Sequence, residues 1–307
     1  MCSRGRILMS EPAIQRDVIL KQFTTFKCGG PAKYFAEPSS EEELVSLLAF
    51  AKENGLETFI LGLGSNILVS DEGFDGLVIR IGRNLGDVSV EEDDTGAVIT
   101  AGAGAPLSLL GNTAVKHGLE GAEFCCGIPG SVGGAVYMNA GAYGREIKDI
   151  AVSVTCLEGG VVKTVSAEEC GFGYRTSVFE KEKVKRIILS LKVRLDKGDP
   201  EKIAAYVDEL KTKRTTSQPL DVPSAGSTFK RPEGYFAGKL IDDSGLRGFK
   251  LDESGAQVSP KHCGFVVNNG GTASASDVMR LIRHVQDTVL EKQGVKIEPE
   301  VRLIGKF

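Results

Sequence analysis

From Gly127 to Gly144, GIPGSVGGAVYMNAGAYG, the chain carries six glycines in eighteen residues, and no charge appears until Arg145. Glycine loses more backbone freedom on ordering than any other residue, so this density calls for a reason. One reason is a backbone that turns sharply and brings bare N–H groups against a large, flat or anionic ligand. A flexible linker would show the same glycine count, but linkers rarely carry apolar side chains such as Ile128, Val132, Val136, Tyr137 and Met138. The stretch reads as a loop ordered against a ligand.

The rest of the chain sets bounds on that ligand. Its 307 residues suffice for two or three domains and a sizeable core. A net charge of −4 gives no reason to expect nucleic acid or an anionic membrane as partner. No run reaches the length of a membrane span. The N-terminus MCSRGRILMSEP has no apolar core of a secretory signal, and Met9 reads as an alternative start after eight disordered residues. Seven scattered cysteines without a CxxC point to a reduced, cytoplasmic compartment. Three histidines leave little material for a histidine-rich metal site, so no metal is expected.

Local patterns give the organisation. Ser40-Glu41-Glu42-Glu43 forms a capping box before Leu44, Leu47, Leu48 and Ala51, and Gly55 stops that helix. Strands follow at Thr58–Leu61, Ile67–Val69 and Leu77–Ile81, separated by the turn Gly62–Asn66. A hairpin is predicted around Asp94-Thr95-Gly96, then a helix opened by Pro106, and strands at Val152–Leu157, Val161–Val165 and Lys185–Leu195. Asp199-Pro200 starts a helix with Ile203, Val207 and Leu210 on one face. Thr215–Arg231 reads as a loop and domain boundary, followed by a strand at Gly264–Asn268, a helix over Ser276–Lys292 and a closing strand at Glu300–Ile304. The fold class is α+β. The expected parts are a flexible 1–19, two subdomains at 20–82 and 83–199, a third domain at 200–297, and a terminal strand at 298–307.

Two glycine turns, Gly62–Asn66 and Gly127–Gly134, sit at ends of predicted strands. Neither fits the dinucleotide fingerprint, since Gly62-x-Gly64-x-x runs into Ile67, and no P-loop motif occurs. A phosphate-bearing cofactor held by backbone N–H groups outside those two solutions remains. Ser65, Asn66 and Ser131 supply hydroxyl and amide partners for a pyrophosphate.

Five stretches then resemble one family. GLGSNILVSDEGFDGLVIRI (62–81), GLEGAEFCCGIPGSVGGAVYMNAGAYGREI (118–147), FGYRTSVF (172–179), PSAGSTFKRP (223–232) and EPEVRLIG (298–305) look like those of the UDP-N-acetylenolpyruvoylglucosamine reductases of peptidoglycan synthesis. The resemblance runs from about Phe23 to Gly305. It implies a three-part flavoenzyme with a vanillyl-alcohol oxidase-like (PCMH-type) FAD-binding fold plus a C-terminal α+β substrate domain. Gly62, Gly64, Ser65, Asn66 and Ile67 would cradle the FAD pyrophosphate. Gly127, Ile128, Pro129, Ser131 and Gly134 would pack along the flavin and ribityl chain. No histidine lies in or beside either turn, so non-covalent FAD is expected, with Cys125 and Cys126 packing only.

The resemblance also implies the reaction: NADPH reduces FAD, and hydride then passes to the vinyl C3 of UDP-N-acetylglucosamine enolpyruvate, giving UDP-N-acetylmuramate. Arg175 and Glu300 would stabilise the enolic intermediate and Ser227 would deliver the proton to C2. From residue type alone, each of the three reads as an ordinary ion-paired, turn or edge residue. Lys230 and Tyr174 would bind substrate. Arg231 stands where the family commonly has Asn, either on the substrate diphosphate or facing solvent. Tyr143 and Tyr137 could meet flavin or substrate, although Tyr137 reads first as buried strand packing. His262 borders the substrate site or fills a core or capping role. The basic runs Lys181–Arg186 and Lys211–Arg214 read as solvated faces, although Arg214 lies close to the substrate-domain junction. Only twenty-three residues separate Arg175 from Asp199, so the chain resembles the shorter form of the family, without a tyrosine-bearing insertion. A monomer is expected, with an oligomer left open. The rival readings are an FAD-linked oxidase of the same fold and a non-catalytic nucleotide-sugar binding module.

Overall fold

The computed structural model describes residues 13–181 and 186–307, so the expectation about Met9 lies outside the described residues. In chain order, β1 (Gln15–Ile19) pairs antiparallel with β2 (Pro31–Ala36), and α1 (Glu41–Glu53) follows. Ser40 caps α1 by accepting from Glu43 N, while the Glu43 carboxylate reaches back to Ser39 N and Oγ. The next strands are β3 (Glu57–Leu61), β4 (Ile67–Val69) and β5 (Phe74–Arg80). β5 lies parallel to both β2 and β3, giving a sheet ordered β1-β2-β5-β3.

Next come β6 (Val88–Glu92), β7 (Gly96–Gly102), α2 (Leu107–Lys116), β8 (Leu119–Glu120) and α3 (Val132–Tyr137). β9 (Gly141–Ala142), β10 (Arg145–Glu146), β11 (Ala151–Glu158), β12 (Val161–Ser166), α4 (Val178–Lys181) and β13 (Arg186–Lys197) follow. An antiparallel sheet runs β12-β11-β13-β7-β6, with β8 also on β13. Burial along β7 and β13 largely alternates, as a half-buried antiparallel strand requires. Their inward residues Ile99, Ala101, Leu191 and Val193 share one core with Leu44 and Leu47 of α1 and Leu107 and Leu110 of α2.

The C-terminal part holds α5 (Pro200–Ser217), α6 (Ala237–Asp243), β14 (Ala256–Val258), β15 (Val266–Asn268), α7 (Ala275–Gln293) and β16 (Arg302–Ile304). Its core, with Ile241, Val258, Val266, Leu281 and Val285, also takes in Phe26, Cys28 and Leu68 from the first hundred residues. β16 returns to pair in parallel with β4. The two ends of the chain are thus one packed unit.

Four expectations change. Residues 15–19, expected to be flexible, form β1 and pair with β2. A 3-10 turn at Glu123–Gly127, not a strand, precedes the second glycine turn, and a third of the glycine stretch is the helix α3. Tyr137 ends that helix at 37% exposure and is not in a buried strand. α5 runs through Ser217, so the loop expected from Thr215 begins at Gln218.

α7 depends on a distant cap. Ser274 and Asp277 form a capping box, and Asp71, just after β4, accepts from Ala275 N at 2.8 Å and from Ser276 N at 2.8 Å. Asp71→Ala should therefore cost about 1 kcal/mol, lowering Tm by about 2–4 °C in scanning calorimetry. An unchanged Tm would show that the local box alone holds α7.

Candidate active site

A cleft of about 1580 Å³ opens between the glycine turns, α5 and the C-terminal part. Single small-molecule pockets span about 300–1,000 Å³, so this one has room for a dinucleotide and a second ligand. The turn after β3 forms one wall. Gly64 has φ +65°, and a Cβ there would lie 2.1 Å from Phe23 O, so both conformation and space require glycine. No hydrogen bond among the described residues uses the N–H of Leu63, Gly64, Ser65 or Asn66. Four free donors in one tight turn are a ready anion cradle. Ser65 Oγ donates to Pro129 O at 2.7 Å, tying this turn to the second.

The second turn passes through Ile128 and Pro129 into α3. Ser131 is buried and caps α3 by accepting from Gly134 N at 3.2 Å. A Cβ on Gly62 would meet Ser131 Oγ at 2.2 Å, so the two turns touch where Gly62 faces the cap. Ile67, Ile128, Pro129, Ser131 and Gly134 line the cleft with Gly62–Asn66, whereas Gly127 lies outside the lining. Gly127 instead makes room for Arg214, whose Cδ would sit 3.6 Å from a Cβ at that position. Cys125 and Cys126 are also outside the lining, and burial pushes the Cys126 thiol up to about 11.

Arg175, Ser227 and Glu300 all reach the cleft. Arg175 lies in a Gly173–Thr176 turn at φ +54°, a conformation costly for a side chain with a Cβ. Two buried groups fasten that turn: Asn139 Nδ2 donates to Gly173 O at 2.9 Å, and Ser177 Oγ donates to Tyr137 O at 2.7 Å. Arg175 Nε then donates to Glu300 Oε1 at 3.0 Å, and Nη2 donates to Gly141 O at 3.0 Å. Glu300 N donates to Thr228 O at 2.7 Å, and Lys230 N donates to Glu298 O at 2.8 Å, zipping the Ser227 loop to the Glu300 segment. Asn66 Nδ2 donates to Glu300 O at 3.2 Å, joining the first glycine turn to the same point. Ser227 is exposed to the cleft, and its hydroxyl forms no hydrogen bond among the described residues. Burial pushes the Glu300 carboxyl above its usual range, against the downward pull of Arg175.

The expected substrate residues sit at the mouth. The Tyr174 hydroxyl accepts from Arg231 N at 3.1 Å, and Arg175 lies over the Tyr174 ring. The Arg231 guanidinium stacks 3.9 Å from the Phe236 ring centre and donates to Tyr235 O, so it is held at the rim instead of drifting in solvent. Lys230 is 3.9 Å from Glu298 and is not among the lining residues. Tyr143 Oη donates to Leu210 O, outside the lining, while His262 lines the cleft with Nδ1 accepting from Gly264 N.

Sequence reasoning missed Arg214, Gln218, Glu180 and Arg302, which all line the cleft. Glu180 and Arg302 pair with each other, and Arg302 lies over Tyr137. Arg214 was detectable: it extends the Ile203, Val207, Leu210 stripe at helical spacing, which places it inward. In all, nine cationic side chains and three carboxylates line the cleft, a surplus of six positive charges in a chain of net −4.

Free N–H donors, glycine walls, a volume beyond one small ligand and surplus positive charge all fit FAD. Residues 32–164 match the model of an FAD binding domain, and residues 218–304 match the UDP-N-acetylenolpyruvoylglucosamine reductase C-terminal domain. Fold and cleft together define an α+β flavoprotein oxidoreductase with a PCMH-type FAD-binding fold. The chain is 50% identical to the UDP-N-acetylenolpyruvoylglucosamine reductase of Agathobacter rectalis, covering 95% of this chain and 94% of that protein. It is 44% identical to that of Caldanaerobacter subterraneus subsp. tengcongensis, covering 98% and 95%. The crystal structure of the Thermus caldophilus reductase superposes with a TM-score of 0.80 at 35% identity, over 96% of this chain and all of that one. The chain belongs to the UDP-N-acetylenolpyruvoylglucosamine reductase family.

A folded pKa raised by burial has a signed consequence for stability. The contribution of Glu300 is full below the unfolded carboxylate value of about 4.3 and is lost as pH rises through the raised folded value. Glu300→Gln should therefore gain stability relative to the unsubstituted protein between pH 4 and pH 8 in urea unfolding. A difference that stays constant with pH contradicts this reading of the site.

Proposed function

We propose that this protein reduces UDP-N-acetylglucosamine enolpyruvate to UDP-N-acetylmuramate with NADPH, through non-covalently bound FAD, as a cytoplasmic step of peptidoglycan precursor synthesis. The observation that carries the proposal is the convergence of Arg175, Glu300 and the Ser227 loop, from three distant segments, on a cleft walled by the two glycine turns. Bound there, FAD supplies two-electron chemistry, with hydride taken from NADPH and delivered to the enolpyruvyl C3.

The residues then do the following. Donors of the Gly62–Asn66 turn would hold the cofactor diphosphate, with Ile67 completing that wall. Ile128, Pro129, Ser131 and Gly134 form the wall along the ring and ribityl chain, and Gly127 supports it from behind. Arg175 and Glu300, fixed to each other, face the negative charge that develops on the substrate carboxylate. Glu300, whose carboxyl burial pushes above its usual range, stands beside Arg175 to stabilise the enolic intermediate. Ser227, with its hydroxyl free and facing the cleft, delivers the proton to C2. Tyr174, Lys230 and Arg231 at the mouth take the substrate diphosphate, the arginine fork replacing the family's usual Asn. Residues 20–82 and 83–199 serve the cofactor, 200–297 the substrate, and 298–307 return Glu300 to both. The described cysteines are free thiols, in keeping with a reducing compartment. Among the described residues no helix is long and apolar enough to cross a membrane.

The purified protein should absorb as a flavoprotein, bleach on anaerobic NADPH addition, and recolour when the enolpyruvyl nucleotide sugar is added. Ser227→Ala should bleach at nearly the native rate and recolour about 10²–10⁴-fold more slowly, the usual worth of a general acid. Equal slowing of both steps would refute the role given to Ser227.

A further inference from the structure

Two carboxylates flank Arg175, and only one of them lines the cleft. Nε donates to Glu300 Oε1 at 3.0 Å, while Nη1 lies 4.0 Å from Oε1 of Glu146, a residue outside the cleft lining. The Glu146 side chain is nonetheless only 20% exposed. A carboxylate enclosed to that degree is kept where its oxygens are bonded. Glu146 accepts from Asn139 Nδ2 at 3.1 Å, from Lys148 Nζ at 2.8 Å and from the backbone N–H of Asp149. Lys148 offsets its charge at shorter range than Arg175 does, so the stronger link from Glu146 to the arginine runs through Asn139.

That link has no slack. Asn139 is fully buried at φ +46°. Its Nδ2 serves both Gly173 O at 2.9 Å and Glu146, and its Oδ1 accepts from Lys148 N at 3.0 Å. An amide can be placed two ways round, and two acceptors facing Nδ2 with one donor facing Oδ1 admit only this one. Removing the Glu146 carboxylate leaves one Nδ2 proton without an acceptor in a buried place and loosens the hold on Gly173 O. Gly173 and Thr176 bond each other across the turn that carries Arg175 at φ +54°, a conformation that persists only where its surroundings impose it. Gly141 and Glu146 are cross-strand partners in the β9–β10 ribbon, and a Cβ on Gly141 would lie 2.7 Å from Glu146 Cγ. One ribbon thus presents Gly141 O to Arg175 Nη2 and the Glu146 carboxylate to the amide that fastens the turn.

We propose that Glu146 is a positioning residue for the reaction: by fixing the Asn139 amide on Gly173 O, it holds the Arg175 guanidinium in the orientation that meets both Glu300 and the substrate carboxylate. It touches no ligand and acts only through Arg175. The inference rests on the reading of Arg175 as the group that faces the developing negative charge. Reduction of FAD by NADPH develops no charge at that point, so Glu146 serves the second half-reaction and not the first.

The test is stopped-flow measurement of both half-reactions in FAD-loaded protein. Glu146→Ala should bleach with NADPH at nearly the native rate. It should recolour with saturating enolpyruvyl nucleotide sugar about 10–10²-fold more slowly, as a misplaced reacting group does. Glu146→Gln, whose amide oxygen still accepts from Asn139, should recover most of that rate. Glu146→Asp, which keeps the charge but withdraws the acceptor, should recover less, and it carries the test if the alanine variant does not fold. In an Arg175→Ala background, Glu146→Ala should cost nothing further. Native recolouring in Glu146→Ala, equal slowing of both half-reactions, a loss in Gln as deep as in Asp, or additive effects of Glu146→Ala and Arg175→Ala overturns the proposal. An Arg175→Ala protein that recolours at the native rate fails earlier, on the role of Arg175 itself.

Discussion

The parallel pairing of β16 with β4 is the constraint on which the rest of the site depends. Arg302 N donates to Asn66 O at 3.0 Å and Ser70 N donates to Ile304 O at 2.8 Å, joining segments more than two hundred residues apart. Register matters because successive side chains of a strand point to opposite faces, so a one-residue slip would turn Glu300 and Arg302 away from the cleft. The pairing is locked at one end by Asn66, which bonds the Glu300 carbonyl, and at the other by Gly305, where a Cβ would strike Gly73 O at 2.2 Å. The first glycine turn and the Glu300 carboxylate are thereby held in one rigid unit. The first glycine turn and the Arg175–Glu300 pair are positioned by the same few hydrogen bonds.

Arg175 shows the same economy from the other side. A non-glycine residue at φ +54° costs about 1–3 kcal/mol and persists only where its surroundings dictate it. Asn139 and Ser177 hold the turn to the end of α3, and Glu300 and Gly141 O fix the guanidinium. Asn139 is itself at positive φ and fully buried, so the glycine-rich stretch braces the Arg175 turn as well as walling the cleft. Its residues 128–134 run along the cleft, while Asn139 and Gly141 brace the loop that carries Arg175.

Much of this was legible in the chain. Caps, apolar spacing and turn glycines located α1, α2, α5, α7 and most long strands, because those signals act within a few residues. Arg175, Ser227 and Glu300 each looked ordinary alone, and only their motifs drew them together, since the contact between Arg175 and Glu300 spans 125 residues. α3 was hidden because glycine is a poor helix former. It forms through tertiary contact, with Gly133 N donating to Ala103 O and a Cβ at Gly133 lying only 3.0 Å from Ala103 Cβ. Tyr137 was misplaced for the same reason. Arg214 was hidden by its company: Lys211, Lys213 and Arg214 read as a basic face, yet only Arg214 continues the inward stripe of α5.

Net charge was the least informative of the sequence's global properties, and the structure shows why. A net charge of −4 gives no reason to expect a polyanionic partner, but charge acts locally through the field inside a low-dielectric cleft. The cationic surplus lining this one is divided by function. Arg175 and Arg302 are neutralised by Glu300 and Glu180, which fixes their direction at the site of chemistry. Arg247 is spent on Asp242 in the C-terminal part. Arg231 is oriented by an aromatic ring, with no carboxylate partner among the described residues, so its charge remains available at the mouth. Arg214 keeps its charge beside the second glycine turn. Paired cations give geometry and unpaired ones give attraction. A cleft lined by both kinds can attract anionic ligands and still hold a carboxylate in one orientation.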